Sequence, residues 1–352
     1  RILPSPVLLG ALALLFALTL STTALGFPAS PPAPDSPGPW AVGHDSFEIL
    51  DPSRDDRPLP IEAWYPADPE QATGEPTQYP LIPLLGLYLS SQLAIDDLPV
   101  LDRPWMPLVV FSHGSGSLNI QSTGMMELLA SHGFVVVAPN HTGNTIWDSP
   151  GDSFEVTAVN RPLDVSFLID HMLARSEDPE DPFHNHISPL SIGVVGHSFG
   201  GYTSLAMPAG LDGQVPPDPR VRAIVPTSAV TSLHTDEELA SITIPTMLIG
   251  GTLDDVVPID PATIRAFELI SSRHLYRADI VGATHSHFAN ICDIGNALID
   301  VGLPIETWPF IGAGDLVFYY NEACVPGVFP VDEARRIQTL YTVAFFRRHL
   351  YL

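Results

Sequence analysis

The sequence predicts an α/β protein with a mostly parallel central sheet flanked by helices. Three observations carry this expectation. Short apolar runs rich in β-branched residues recur along the chain, longer stretches with helical spacing lie between them, and an amphipathic stretch follows the last run. In order, Ile61 to Tyr65 reads as an early strand in a hairpin with the segment around Phe47. Leu108 to Phe111 (LVVF) is a short buried strand ending at Ser112-His113-Gly114. Gln121 to His132 carries Met125, Leu128 and Leu129 at helical intervals, and Gly133 stops it. Phe134 to Ala138 (FVVVA) is the next strand, and after a loop Leu163, Phe167, Leu168 and Met172 mark a helix from Leu163 to Ala174. Ile192 to Val195 is a strand that leads into a helix from Ser198 to Met207. Val221 to Val225, Thr246 to Ile249 and Leu275 to Ile280 are further strands, with a helix from Pro261 to Ile270 between the last two. Asp332 to Leu350 is the closing amphipathic helix.

Composition bounds what such a domain does. The 352 residues suffice for a full core, and 45% hydrophobic with 16% charged residues is ordinary for a globular chain. All 15 basic residues are Arg, against 40 acidic residues, for a formal charge of -25. Such a charge repels phosphate, so nucleic acid and anionic membrane surfaces are not expected partners. The acidity speaks about solubility and not about a reaction.

Val7 to Leu20 is almost wholly apolar, preceded by Arg1 and followed by small residues, which is the layout of a secretory signal. Residues 1–26 are therefore expected to be a signal peptide, with an uncleaved anchor as the alternative. Residues 27–44, rich in Pro, Ser and Ala, are an expected tether, and 45–352 a single catalytic domain. Export suits the two cysteines, Cys292 and Cys324, which are expected to pair. The compartment expected is extracellular or periplasmic, and the chain is expected to be a monomer. Two segments, Pro80 to Pro104 and Ala289 to Pro330, fit no alternation, and either could roof a site. The first contains the apolar run Leu81 to Leu89, a lid or core segment with lipid contact as the weaker reading.

Gly196-His197-Ser198-Phe199-Gly200 is a G-x-S-x-G motif, entered from a buried strand and left through a helix. Acyl transfer needs a hydroxyl held clear of its own backbone, and a sharp strand-to-helix turn provides that. Serine also needs a base steadied by a carboxylate, and in this arrangement the order along the chain is Ser, acid, His. The strand ending at Gly251 runs into Asp254 and Asp255, and the strand ending at Ile280 runs into His285 and His287. Residue spacing alone leaves both pairs open. Two backbone N–H groups must hold the oxyanion, one from Phe199 and one from the loop His113-Gly114-Ser115-Gly116, where Ser115 is the natural donor. His184-Asn185-His186 lies near Asp178, Glu180 and Asp181, but the spacing matches no defined metal site and reads as a solvated loop. Neither a metal nor an organic cofactor is expected.

The blocks FSHGSG, LLASHGFVVVAPNH, VVGHSFGGYTSLA, IPTMLIGGTLDDVVP and GATHSHFAN resemble the α/β-hydrolase superfamily. Within it they are similar to the secreted platelet-activating-factor acetylhydrolase and dienelactone-hydrolase-like group, and more distantly to bacterial cutinases and polyester hydrolases. The resemblance implies the α/β-hydrolase fold with covering insertions and a serine carboxylic ester hydrolase working through an acyl-enzyme. Its L-D-x-V-x-P pattern implies Asp254 as the acid, with Asp255 as alternative. Its G-x-x-H-x-x-F pattern implies His285 as the base, with His287 as alternative. Dienelactone hydrolases proper use Cys where Ser198 stands. The aromatic residue of cutinases after the strand that follows the nucleophile helix has no counterpart in Pro226 to Val230 (PTSAV). Small or short-acyl esters, including phospholipid acetyl esters, are thus the first expectation, and a polyester or cutin-type substrate the alternative. An exported binding protein that has lost catalysis is the rival from another class.

Overall fold

The computed structural model describes residues 32–82, 86–148, 151–211 and 213–351. The apolar segment Val7 to Leu20, tether residues 27–31 and positions 83–85 of the Leu81 to Leu89 run lie outside the described residues.

β1 (Ala41–Asp51) and β2 (Arg57–Ala67) form an antiparallel hairpin in which Phe47 faces Ile61. β1 thus begins inside the stretch read as tether. Residues just before it are held to the body, with Gly38 N–H donating to Ser131 Oγ (2.8 Å) and His132 Nε2–H to the Ser36 carbonyl (2.9 Å). β3 (Pro76–Ile82) and β4 (Leu87–Asp96) pair antiparallel, and β4 lies parallel to β1. The first half of Pro80 to Pro104, apart from positions 83–85, is therefore largely sheet. β3 is the edge strand, where prolines cost no ladder bond, and its register shifts at Pro76/Gln78 and Pro80/Ile82.

The central strands are β5 (Met106–Ser112), β6 (Val135–Pro139), β7 (Ile187–His197), β8 (Val221–Thr227), β9 (Thr246–Gly251) and β10 (Leu275–Ile280). Among the described residues one ten-stranded sheet runs β10-β9-β8-β7-β5-β6-β2-β1-β4-β3, parallel from β10 to β6. Strand period 2 sends alternate side chains to two helical layers. Val109 and Phe111 join Met126 and Leu129 of α1 (Thr123–Ser131) and Phe346 of α8 (Val331–His349). Leu108 and Val110 join Val165, Leu168 and Ile169 of α2 (Phe154–Glu177) and Leu205 of α3 (Phe199–Ala209). Each such side chain, fully buried, contributes about 1.5–3 kcal/mol. The short α4 (Asp236–Ser241) and α5 (Arg265–Leu269) pack in the second layer through Leu239 and Ala266. The helix expected from Pro261 opens as a wider turn, with Ile264 N–H reaching the Ile259 carbonyl, before α5 proper.

α2 starts nine residues before the expected Leu163, capped by the Ser153 side chain. Pro162 lies inside it and cannot donate to the Ala158 carbonyl, which instead accepts from the Tyr202 hydroxyl at 3.0 Å. The segment Ala289 to Pro330, expected to be irregular, carries α6 (Ile291–Asp300) and α7 (Gly314–Ala323). Gly295 lets these helices meet: a Cβ there would sit 2.3 Å from the Tyr320 ring and 2.9 Å from Trp308. A disulfide between Cys292 and Cys324 closes the insert. No described helix is long and apolar enough to cross a membrane.

Candidate active site

Ser198 stands where β7 turns into α3, with φ 58° and ψ -118°. A non-glycine residue here costs on the order of 1–3 kcal/mol and keeps this conformation only if its surroundings impose it. They do: Ser198 N–H donates to the Thr227 carbonyl (2.9 Å), and its carbonyl accepts from Tyr202 N–H (3.1 Å) and Val230 N–H (3.3 Å). Gly200 permits the turn, because a Cβ there would lie 1.8 Å from the Ser112 carbonyl oxygen. The Ser198 hydroxyl makes no capping bond, and it projects at the start of α3, where the first N–H groups have no intrahelical acceptor.

Asp254 and His285 meet at the ends of β9 and β10, with Nδ1 of His285 2.9 Å from Oδ2 of Asp254. Both are buried, and Oδ1 of Asp254 accepts from the N–H groups of Val256 (3.0 Å) and Val257 (2.7 Å). With Nδ1–H given to Asp254, Nε2 of His285 is free to accept a proton. Asp255, one residue on, is exposed to solvent. His287 is committed elsewhere. Its Nδ1 accepts from Thr284 N–H (3.0 Å), and its Nε2–H donates to the Phe329 carbonyl (2.8 Å). Burial holds its pKa below the usual value, partly offset by that carbonyl. Among the described residues no hydrogen bond joins Ser198 Oγ to His285; in hydrolytic sites this bond often tightens only when substrate binds.

His285 is nonetheless seated against the turn. Its ring lies 4.5 Å from that of His197, the residue preceding the serine. Nε2–H of His197 donates to the His285 carbonyl (3.1 Å), and its Nδ1 accepts from the Gln121 amide (2.7 Å). The Gln121 Oε1 in turn accepts from Gly114 N–H at 2.6 Å. Burial and the neighbouring His285 hold His197 well below the usual imidazole pKa, so it adds no charge beside His285. A position for a Cβ on Gly114 would lie 3.5 Å from the Ser198 Cβ, which puts the Ser115 loop beside Ser198. Ser115 Oγ accepts from the Asn144 amide (3.1 Å), and Gly116 N–H donates to the Asn144 carbonyl (3.2 Å).

On the far side of His285, Glu322 of α7 accepts from His285 N–H (3.3 Å) and from the Ser286 hydroxyl. The insert thereby touches the turn that carries His285, two residues from Cys324. Sequence reading missed Gln121, Asn144, Arg161 and Glu322. Only long-range contacts reveal them, although His197 was visible inside the motif.

Exposed apolar side chains lie on the segments that carry the site. Phe154 packs edge-on against Phe199 at 4.8 Å, yet it remains 48% exposed; Ile146 and Trp147 are 55% and 57% exposed. Leu253 and Val256, also exposed, flank Asp254. A cavity of about 620 Å³ shares Gln121 and Phe288 with the site, but Ser198 and His285 do not line it. Among the described residues no group of three or more His, Cys, Asp or Glu side chains is placed to hold a metal. His184 and Asn185 bond to each other at 2.7 Å.

The sheet order and the strand-turn-helix at Ser198 define an α/β-hydrolase fold. Residues 108–301, more than half of the chain, match the family model described as PETase: PET hydrolase-like, and the chain belongs to that family. It is similar to Cutinase est1 of Thermobifida alba, 29% identical over 160 residues, 45% of this chain and 46% of that protein. Cutinase 1 of Thermobifida cellulosilytica is 26% identical over 178 residues, 50% of this chain and 59% of that protein. The chain thus spans about half the length of the curated relatives it matches. A ferulic acid esterase from Streptomyces cinnamoneus shares the fold, with a TM-score of 0.64 at 21% identity over 88% of this chain and 90% of that one. The likeness falls on the cutinase and polyester side of the resemblance drawn from the sequence.

Proposed function

We propose that the chain is an exported serine carboxylic ester hydrolase acting on extended esters of the cutin and polyester class. The observation that carries the mechanism is the buried Asp254–His285 pair at 2.9 Å, seated beside a serine in a strained strand-to-helix turn. Ser198 Oγ attacks the ester carbonyl carbon while His285 Nε2 takes its proton. Asp254 accepts from Nδ1–H and stabilises the imidazolium, and the N–H groups of Phe199 and Ser115 receive the oxyanion. The carbon–oxygen bond to the alcohol then breaks, and His285 returns the proton to the departing alkoxide. Water, deprotonated by the same base, then attacks the acyl carbon, the bond to Ser198 Oγ breaks to release the acid, and His285 returns the proton to Oγ.

Membership of the PET hydrolase-like family and the exposed side chains of Ile146, Trp147, Phe154, Leu253 and Val256 support a polymeric ester over the small or phospholipid acetyl esters first expected. The small residues of Pro226 to Val230 favour aliphatic over aromatic acyl units. Export of the chain, with residues 1–26 as its signal, is supported by the disulfide, since such bonds persist in oxidising compartments.

A panel of p-nitrophenyl esters of increasing acyl length, an aliphatic polyester film, an aromatic polyester film and an acetylated phospholipid tests this. Soluble acid should appear from the aliphatic film, and a fluorophosphonate should label Ser198. Phospholipid turnover without polymer release would return the substrate to the smaller class. A Ser198→Ala protein retaining more than about a hundredth of the wild-type rate would overturn the mechanism, since loss of a triad nucleophile typically costs roughly 10⁴ or more.

A further inference from the structure

Arg161 of α2 is fully buried, and its guanidinium is directed at the loop beside Ser198. One Nη donates to the His113 carbonyl, and the other donates to the Gly114 carbonyl at 3.0 Å. Nε and Nη2 also reach Asn144 Oδ1 at 3.0 and 2.6 Å, and the guanidinium carbon lies 5.1 Å from the Phe199 ring centroid. Asn144 in turn holds Ser115 and Gly116. The group therefore grips the segments that carry both expected oxyanion donors.

Among the described residues Arg161 forms no ion pair. Asp164, whose charge favours the guanidinium without pairing to it, is linked to it through Ser112 Oγ (3.5 Å) and His141 (2.9 Å and 2.9 Å), and is already engaged by Arg54 and Arg57. A buried guanidinium is expensive to desolvate, and here its donors go to backbone carbonyls and one amide oxygen.

The Gly114 carbonyl belongs to the same planar trans peptide as the Ser115 N–H, and the two point in opposite directions. A charged donor on that oxygen fixes the plane and draws electron density away from the N–H, making it a stronger donor. The geometry points to Arg161 as a positioning residue that aims and polarises the Ser115 N–H toward the oxyanion, with Asn144 as its partner. This rests on the hydrolase reading above.

The test compares the full chain with its Arg161→Met, Arg161→Lys and Asn144→Ala variants. Each is checked for folding by circular dichroism and thermal melting, and its active sites are counted by fluorophosphonate titration. Rates on a soluble ester are then set beside inhibition by an aliphatic trifluoromethyl ketone, to which Ser198 adds reversibly to give a tetrahedral oxyanion. Removing one oxyanion donor typically costs 10²–10³ in kcat, so Arg161→Met should lower kcat about a hundredfold. KM should stay within about threefold, and ketone affinity should fall in step with kcat, because the interaction is made in the transition state and not the ground state. Arg161→Lys should recover part of both, and Asn144→Ala should lose less than Arg161→Met. If Arg161→Met does not fold, the Lys and Asn144 variants carry the comparison by the same readouts. A kcat per active site within about threefold of wild type, or a kcat loss with unchanged ketone affinity, would overturn the role. A wild-type chain that turns over no ester sinks the hydrolase reading and this inference together; an active wild type with indifferent variants sinks only the inference.

Discussion

Replacing Cys292 and Cys324 together by serine should loosen the insert and, through it, the catalytic base. The bridge spans a sequence separation of 32 residues. On the chain-entropy model, closing a loop of that length removes about 12 cal/mol/K from the unfolded state, or about 3.7 kcal/mol at 25 °C. Spread over the unfolding entropy of a domain of this size, that corresponds to a melting temperature lower by on the order of 5 °C. The loss should be concentrated locally, because α6 and α7 depend on each other through Gly295, Tyr320 and Trp308. Freed of the bridge, α7 holds Glu322 less firmly against His285 N–H and Ser286. Displacing a base by about 1 Å can cost roughly a hundredfold, but Asp254 still grips the ring, so a loss of about three- to tenfold in kcat at 25 °C is expected. Calorimetry, residual activity after heating and circular dichroism on the double variant measure the three effects. Thiol titration of the unreduced, denatured wild type should find no free thiol. Heat inactivation unchanged to within about 1 °C would refute the reasoning, given the 2–5 kcal/mol typical of native bridges.

The neighbouring candidates should separate sharply: His285→Ala and Asp254→Asn should each abolish nearly all turnover, whereas His287→Ala and Asp255→Asn should cost far less, as steady-state kinetics will show. An inverted ranking would mean that the acid or base was misassigned. Gly200→Ala should prevent accumulation of folded protein, because its Cβ would fall 1.8 Å from the Ser112 oxygen; normal yield with full activity would contradict the geometry. His44 lies between Glu62 (2.6 Å) and Asp96 (2.8 Å), packed on Trp64 and Tyr79. Burial, the largest influence, lowers its pKa, but the two carboxylates together leave it raised. A raised folded-state pKa contributes stability fully below the unfolded value near 6.5 and loses it as pH rises through the folded value. The stability advantage of wild type over His44→Gln in urea should therefore be greatest below the unfolded value of about 6.5 and shrink as pH rises beyond it; a constant difference from acid to alkaline pH would count against it.

The central strands were legible because parallel strands buried on both faces are continuous apolar runs, and LVVF, FVVVA and SIGVV leave little else to propose. β3 and β4 were not, because Pro76 and Pro80 and the acidic end of β4 resemble a loop, and only pairing with β1 makes them sheet. Pro162 hid the first turns of α2 for a similar reason: the hydroxyl that replaces its missing bond comes from Tyr202, forty residues away in sequence. The insert helices are ten residues each, the first interrupted by Gly295, too short for a clear periodic signal. At the site, the serine turn announces itself locally. The choice between Asp254 and Asp255 does not, since adjacent residues in a turn differ only in which one the fold buries.

Gln121 uses both ends of one amide, its oxygen on Gly114 and its nitrogen on His197, whose other ring nitrogen holds the His285 carbonyl. The chain of donors has one consistent direction, so a glutamate at this position would present an acceptor where His197 needs a donor. Anyone grafting a new loop at 113–116 should therefore expect to retune the base as well. Substrate breadth is more safely diversified at Ile146, Trp147 and Phe154, whose side chains are absent from this relay.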